Sequence, residues 1–399
     1  APQARLSEMA RVWAEGGDDV TVLTGMPNHP TGVVPPAYRG AIRRVERVDG
    51  YRVVRTWLYA TPNEGIARKT LGHLSFMVSA VLLGAGRVGR PDVVVVSSPT
   101  FFSIGAAWAL ARLTRARLVV EIRDLWPAIF VELGVLTDRR LIRALEVLEL
   151  AAYRAADEVV VVSEGFREHL IRRGVPAEKV HTIRNGVDLE RFRPARPDAD
   201  TARTRALLGA GPDDVLVLYA GAHGISHGLT SVADAAARLE REGCPVRFAF
   251  VGEGAAKAEL QRHVASLGIA NVTLLAGVPR DEVPALLAAA DLCLVPLRDV
   301  PLFSTFIPSK IFEYLGAGKA VVGAVRGEAA AILREAGAAV VEPEDPDALA
   351  AVIAELAADP ARRARMGATG RAYVEAHFDR RALALRYREL LRQAVVRAR

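Results

Sequence analysis

Two hydrophobic patterns alternate along the chain: short unbroken apolar runs, and longer stretches in which apolar residues recur every three to four positions. The first runs are DVTVLTG (19–25), YRVVRTW (51–57), PDVVVVSS (91–98), RLVVEIRD (117–124), DEVVVVSE (157–164) and KVHTIRNG (179–186). An apolar run of this length without polar alternation reads as a strand covered on both faces, and helices between such strands give a parallel sheet. A second series comprises VLVLYAGA (215–222), RFAFVGEG (247–254), NVTLLAG (271–277), LCLVPL (292–297), AVVGAV (320–325) and AAVVEPE (338–344). The expectation is an α/β protein of two doubly wound, Rossmann-like domains.

Between the two series lies NGVDLERFRPARPDADTARTR (185–205), charged and proline-containing, which reads as the connection. The domains are therefore expected at 1–190 and 191–375, with a helix in 376–399 packing back on the first. Its segment RRALALRYRELLRQAVV sets Leu383, Tyr387, Leu390 and Leu391 on one side. The chain opens on an amphipathic helix, APQARLSEMARVWAEGG, where a doubly wound domain ordinarily opens on a strand and a glycine-rich turn. One short strand and its turn are expected to precede it.

The length of 399 residues agrees with two cores, since one rarely grows so large. Net charge is only +6, but it is unevenly placed. Between Arg39 and Arg117 there are thirteen Lys/Arg against four Asp/Glu, and between Arg362 and Arg399 eleven against three. Such surplus beside the apolar stretch TLGHLSFMVSAVLLGA (70–85) points to anionic lipid headgroups or a phosphate-bearing acceptor, or simply to solvated arginines. Nucleic acid is not expected, because aromatic and basic residues do not interleave on a strand platform. The apolar stretch is too short and polar to span a bilayer. Cys244 and Cys293 show neither metal-ligand nor pairing pattern. A cytoplasmic protein, peripheral at the inner face of the membrane, is the expectation.

Ligands of open parallel sheets bind at the carboxyl ends of the strands, so the turns of the second series hold the candidate chemistry. GAHGISHG (221–228) and VGEG (251–254) each follow a strand and precede a helix. Glycines there let backbone N–H groups approach a phosphate, although glycine after a strand is more often only a turn. The stretch FSTFIPSKIFEYLGAGKAVVGA (303–324) is sharper. Pro308 suits a first helical turn, Lys310 adds a cation beside free amides, and Glu313 follows three residues on. Two readings are open: a diphosphate at the helix tip with ribose hydroxyls on the carboxylate, or a surface ion pair of a few tenths of a kcal/mol.

Taken together with MPNHPTG (26–32), EIRDLWP (121–127), NGVDLERFRP (185–194), YAGAHGISHGL (219–229), AADLCLVPL (289–297) and PSKIFEYLGAGKAVV (308–322), these residues resemble the family 4 retaining glycosyltransferases. The resemblance covers nearly the whole chain and is strongest to bacterial N-acetyl-fucosaminyltransferase-type enzymes of surface-polysaccharide synthesis. It implies the GT-B architecture, two Rossmann-like domains facing a cleft. It also implies transfer of a sugar from a nucleotide sugar, UDP-linked, to a lipid-linked or oligosaccharide hydroxyl with retention at the anomeric carbon.

The family's two glutamates, separated by seven residues, correspond here to Thr305 and Glu313. Arg and Lys in the first loop of the second domain are replaced by Ala222 and His227, and a histidine of the first domain by Arg123, followed by Asp124. The resemblance then places Lys310, Thr305, Arg123 and Asp124 at the reacting centre, with a structural Arg123–Asp124 pair equally open. It places Gly221, His223, Gly224, Gly252, Glu253, Arg298, Phe306, Ile307, Pro308, Ser309 and Glu313 on the donor, and Asn28, His29 and Thr100 on the acceptor side. His29 has a structural reading too, and Phe101, Phe102 and Trp126 read as packing. DAD (198–200) and DPD (345–347) read as chance matches to metal motifs, so neither metal nor cofactor is expected. Two other activities share this architecture: a sugar-nucleotide epimerase, which needs converging acids and histidines, and a silent nucleotide-sugar-binding scaffold.

Overall fold

The computed structural model of the protein describes residues 2–28, 32–61, 66–98, 101–195 and 199–397. The chain forms two compact units, Ala1–Arg184 with Arg381–Arg399, and Asn185–Arg380. In the first, α1 (Pro2–Glu15) leads to β1 (Thr21–Gly25), β2 (Arg43–Val48) and β3 (Tyr51–Thr56), hydrogen-bonded in the order β1-β3-β2. β1 runs parallel to β3, whereas β2 is antiparallel to it, so the expectation of purely parallel sheets fails at this edge. The residues of β2, RRVERV, are almost all exposed, which removes the apolar signal by which the other strands are read. The other sheet, order β4-β5-β6-β7, is parallel throughout: β4 (Val93–Ser97), β5 (Arg117–Ile122), β6 (Glu158–Val161) and β7 (Val180–Thr182).

α1 buries Met9, Val12 and Trp13 against Val119, Val160 and Ile183, together with Ala384 and Tyr387 of the helix Arg380–Val396. The Trp13 indole donates to the Ala384 carbonyl at 2.8 Å and meets Tyr387 edge-on at 5.4 Å. Arg5 pairs with the buried Glu121 at 3.1 Å and donates to the carbonyls of Ile183 and Arg184. The two ends of the chain therefore share one core. α2 (Ile66–Gly84) and α3 (Phe101–Thr114) pack on each other, with His73 stacked on Phe102 at 6.3 Å.

The second unit is one parallel sheet of order β10-β9-β8-β11-β12-β13: β8 (Val215–Ala220), β9 (Val246–Val251), β10 (Val272–Leu275), β11 (Leu292–Pro296), β12 (Ala320–Ala324) and β13 (Ala339–Val341). Val217, Tyr219, Phe248, Phe250, Leu294 and Val322 fill its core beneath the helices Leu229–Arg241 and Pro346–Ala358. Strand order reverses between β8 and β11, and the crevice at such a switch point is where doubly wound sheets bind ligands. Asp345 of the DPD match caps the helix Pro346–Ala358 by accepting from Ala348 N–H at 2.9 Å.

Much of the stretch read as a connection is built into this second unit. Val187 N–H donates to the Phe378 carbonyl, and the Arg371 guanidinium donates to the carbonyls of Phe192 and Gly316 at 2.7 and 2.6 Å. Residues 199–207 form a helix whose Arg205 pairs with Asp291 at 2.8 Å. Charge mimics a linker here although Arg191, Arg203 and Arg205 are engaged, with Asp281, Asp200 and Asp291 respectively. Among the described residues, no helix is long and apolar enough to cross a membrane.

Candidate active site

The loops after β8 and β9 are stitched to each other at the carboxyl edge of the second sheet. Gly221 N–H donates to the Val251 carbonyl, His223 N–H to the Glu253 carbonyl, and Ala256 N–H to the His223 carbonyl, each at 2.9 Å. This packing explains the glycines. A Cβ on Gly252 would stand 1.8 Å from the Gly221 carbonyl oxygen, and one on Gly254 would stand 2.3 Å from that of His223. They permit this loop-on-loop contact, a requirement that the sequence alone does not show. Gly252→Ala is expected to force the loops apart and lower the melting temperature by several degrees, as overpacking costs about 1–3 kcal/mol; an unchanged melting temperature would contradict the contact.

Tyr219, at the end of β8, donates its hydroxyl to the Ala222 carbonyl at 2.6 Å. Tyr314, from the helix Lys310–Gly316, donates to the Ala220 carbonyl and accepts from Ala220 N–H, both at 3.0 Å. The helix and the loop are thereby fixed in register. Lys310 lies between them. Its Nζ sits 3.5 Å above the centroid of the Tyr219 ring, and a Cβ on Gly221 would stand 3.0 Å from it. This Nζ is buried and has no hydrogen-bond partner among the described residues. Burial pulls its pKa down to about 7, with Glu313 opposing the shift. At neutral pH the empty protein therefore carries only part of the charge expected from sequence, and a bound anion would favour the rest.

Pro308 precedes the helix rather than opening it; Ser309 is the cap and Ile311 N–H donates to the Pro308 carbonyl at 3.1 Å. A helix of seven residues has a weak dipole, so its tip alone offers an anion little and the amine is the principal positive group there. Lys310 does not pair with Glu313. Instead, Arg280, in the segment after β10, places a guanidinium nitrogen 3.4 Å from the Glu313 carboxylate and lies over the Phe192 ring. The structure therefore shows no Lys310–Glu313 ion pair at the surface. The half-buried carboxylate is oriented by an arginine 33 positions upstream, for which the local sequence carries no signal.

Other candidates take less direct places. The Thr305 hydroxyl donates to the Leu302 carbonyl at 2.7 Å inside a 3-10 turn, so its proton is engaged with backbone. Ile307 is buried and Phe306 packs edge-on to Phe303, leaving the backbone of 306–308 as what they can offer. Arg298 faces Glu344 at 3.5 Å, which offsets the charge expected to help Lys310; its N–H donates to the Ser226 carbonyl. Glu253 pairs with Lys257 at 2.7 Å, and this contact holds its carboxyl below the usual range. Lys257, unremarked in the sequence, also donates to the carbonyls of Gly252 and Leu275.

His223 is fully buried, neither ring nitrogen is hydrogen-bonded among the described residues, and burial with Lys257 nearby brings its pKa to about 4. His227, 3.3 Å through Nδ1 from the Gly224 carbonyl, is brought to about 3 by burial and Lys310. Both are neutral imidazoles at physiological pH, so this loop offers polar atoms and no cation.

In the first unit, Arg123 and Asp124 follow β5. Burial raises the Asp124 pKa, with Arg123 opposing the shift. Asn28 follows β1 and accepts from Gly32 N–H. His29 and Thr100 lie outside the described residues. Trp126 packs edge-on to Phe130 at 5.0 Å, as a packing residue does.

Residues 1–186 match the family described as glycosyl transferase 4-like domain, and residues 200–373 the family described as glycosyl transferases group 1. The chain is 30% identical over 355 residues, 87% of its length and 86% of the relative's, to the Escherichia coli (strain K12) protein WcaI, named for colanic acid biosynthesis glycosyl transfer. Among solved structures, sucrose-phosphate synthase from Thermosynechococcus elongatus superposes with a TM-score of 0.76 at 23% identity, over 98% of this chain and 93% of that one. The Anabaena HepE protein, solved in complex with UDP-glucose, superposes with a TM-score of 0.69 at 19% identity, over 94% of this chain and 99% of that one. The chain belongs to the family 4 glycosyltransferases and has their GT-B fold.

Proposed function

We propose that the protein is a retaining glycosyltransferase. It moves a sugar from a UDP-linked nucleotide sugar to a hydroxyl of a lipid-linked or oligosaccharide acceptor in cell-surface polysaccharide assembly. The carrying observation is Lys310. A buried amine without a hydrogen-bonding partner is costly, and it persists where an anion completes it. The donor diphosphate is that anion, and in leaving it gains the charge that Lys310 neutralises. Glu313, held by Arg280, accepts from the ribose hydroxyls. The loop 221–224 and the backbone of 306–308 border the diphosphate and the sugar. The acceptor hydroxyl enters on the face the diphosphate leaves, which retains the anomeric configuration. The protein contributes position and charge rather than a covalent nucleophile. Relationship to a colanic acid protein and structural likeness to a UDP-glucose complex support this class of reaction.

The sugar proposed is an N-acetylated 6-deoxyhexose of the fucosamine type. A thermal-shift screen across UDP-, GDP- and ADP-sugars, followed by NMR of the product, tests the reading. UDP-sugars are expected to stabilise the wild type and leave Glu313→Ala unshifted, and transfer is expected to retain the α or β configuration of the donor and to continue in EDTA, Lys310 supplying the charge. Inversion of the anomer, dependence on a divalent metal, or an epimerised donor formed without any acceptor would each overturn the corresponding part. The last outcome is the signature of an epimerase.

A further inference from the structure

The two basic stretches of the sequence meet different fates. Near the carboxyl end, Arg381 pairs with Glu15, Arg388 and Arg392 with Asp18, Arg371 with Glu375 and Arg362 with Glu355. On β2 and β3, Arg44 and Arg55 pair with Glu46. By contrast, Arg87, Arg90, Arg112 and Arg115 are exposed and make no ion pair among the described residues. Arg87 and Arg90 follow α2, Arg112 lies in the last turn of α3 and Arg115 just after it. From Arg68 to Arg117 the chain has seven Lys/Arg and one acid, Asp92.

The same two helices expose large apolar side chains. Leu71, Val78 and Leu82 of α2 are 51%, 51% and 75% exposed, and their i, i+7, i+11 spacing puts them on one helical face. On α3, Leu113 is 66% exposed and Trp108 46%, with Arg112 over its ring. The helices are in direct contact: a Cβ on Gly105 would stand 3.2 Å from the Met77 sulfur. An apolar face of this kind, carrying an interfacial tryptophan and rimmed by unpaired arginines, has the composition of an amphipathic layer lying in a headgroup region.

We propose that the outer face of α2 and α3 seats the first unit on an anionic lipid bilayer, Leu71, Val78, Leu82 and Leu113 entering the acyl boundary and the four arginines meeting the headgroups. The inference deepens the proposed transfer to a lipid-linked acceptor and rests on that reading for its purpose. Charge complementarity selects the occupant. A second copy meeting this face across a twofold axis would set arginine against arginine, whereas an anionic surface attracts each of them. A nucleic acid would leave the leucines without a partner.

Co-sedimentation with vesicles of phosphatidylcholine alone, and of phosphatidylcholine with equimolar phosphatidylglycerol, tests it. The wild type is expected to bind the anionic vesicles, to leave the neutral ones largely unbound, and to release at high salt. Leu82→Glu combined with Leu113→Glu, and separately Arg87→Glu combined with Arg112→Glu, are each expected to lower partitioning at least tenfold. All four side chains are exposed, so unchanged melting temperatures serve as the folding control. Equal binding to neutral vesicles, wild-type binding by either double variant, or a dimer that vesicles do not dissociate would overturn the proposal. A UDP-sugar thermal shift on the same samples separates the two readings. Shift retained without vesicle binding overturns the membrane face alone, and vesicle binding without any shift supports that face while opposing the proposed transfer.

Discussion

Lys310→Met is expected to melt roughly 5–10 °C above the wild type while binding nucleotide sugars about 10 to 150 times more weakly. The gain follows from burial. Lowering a lysine from 10.5 to about 7 means that the folded protein binds this proton less readily than the unfolded chain. Below pH 7 the penalty is complete; it shrinks as pH rises through the window from about 7 to 10.5 and disappears above it. At neutral pH this amounts to something on the order of 4 kcal/mol, at 1.36 kcal/mol for each pH unit of displacement. Contact of the amine with the Tyr219 ring returns about 1–2 kcal/mol of that. Methionine fills the same volume without charge.

The loss of affinity follows from the diphosphate's missing partner, a charge-assisted hydrogen bond in a site where the neighbouring histidines are neutral. Differential scanning fluorimetry and calorimetry read the two effects separately. A lowered melting temperature would mean that the amine is a net stabiliser of the empty fold, and undiminished affinity would place the phosphates elsewhere. The opposition of stability and binding in one side chain is what a preorganised site predicts.

Burial decides which parts of this molecule are legible in its sequence. The twelve apolar runs became strands because a parallel sheet under helices hides both of its faces; only a few polar residues, such as Arg52 and Arg55 of β3 and His181 of β7, interrupt them. β2 carries charges on nearly every position because it lies at an edge, and its signal was lost for that reason. Lys310 could be found locally, since proline, a cap residue and a cation precede an apolar helix within a few positions. Arg280 and Tyr314 could not. Arg280 reaches Glu313 across 33 residues and Tyr314 reaches Ala220 across 94, and sequence order says nothing of which loops a sheet brings to one edge. The packing requirement on the glycines of VGEG is not legible either, because the clash that demands them involves a loop about thirty residues away. Arginine was the least legible residue. Paired and unpaired arginines look alike in a count of charge, and only the fold separates Arg388, spent on Asp18, from Arg112, open to its surroundings.

The second large effect is on the pH dependence of donor binding. With a pKa of about 7, Lys310 is half protonated in the empty protein at neutral pH. A bound diphosphate favours the charged form and raises that pKa. Linkage then fixes the sign: the complex holds a proton that the free protein has begun to lose, so affinity is flat below about pH 7 and falls by up to tenfold for each further pH unit. The donor itself adds no slope there, since the diphosphate of a nucleotide sugar has no ionisation in that range, and His223 and His227, near 4 and 3, are already neutral. Calorimetry in buffers of different ionisation enthalpy is expected to show nearly one proton taken up for each donor bound at about pH 8.5, and none for Lys310→Met. An affinity that stays level from about pH 7 to pH 9 would mean that the amine is already charged without its anion, and the phosphate site would then need a partner for it within the protein.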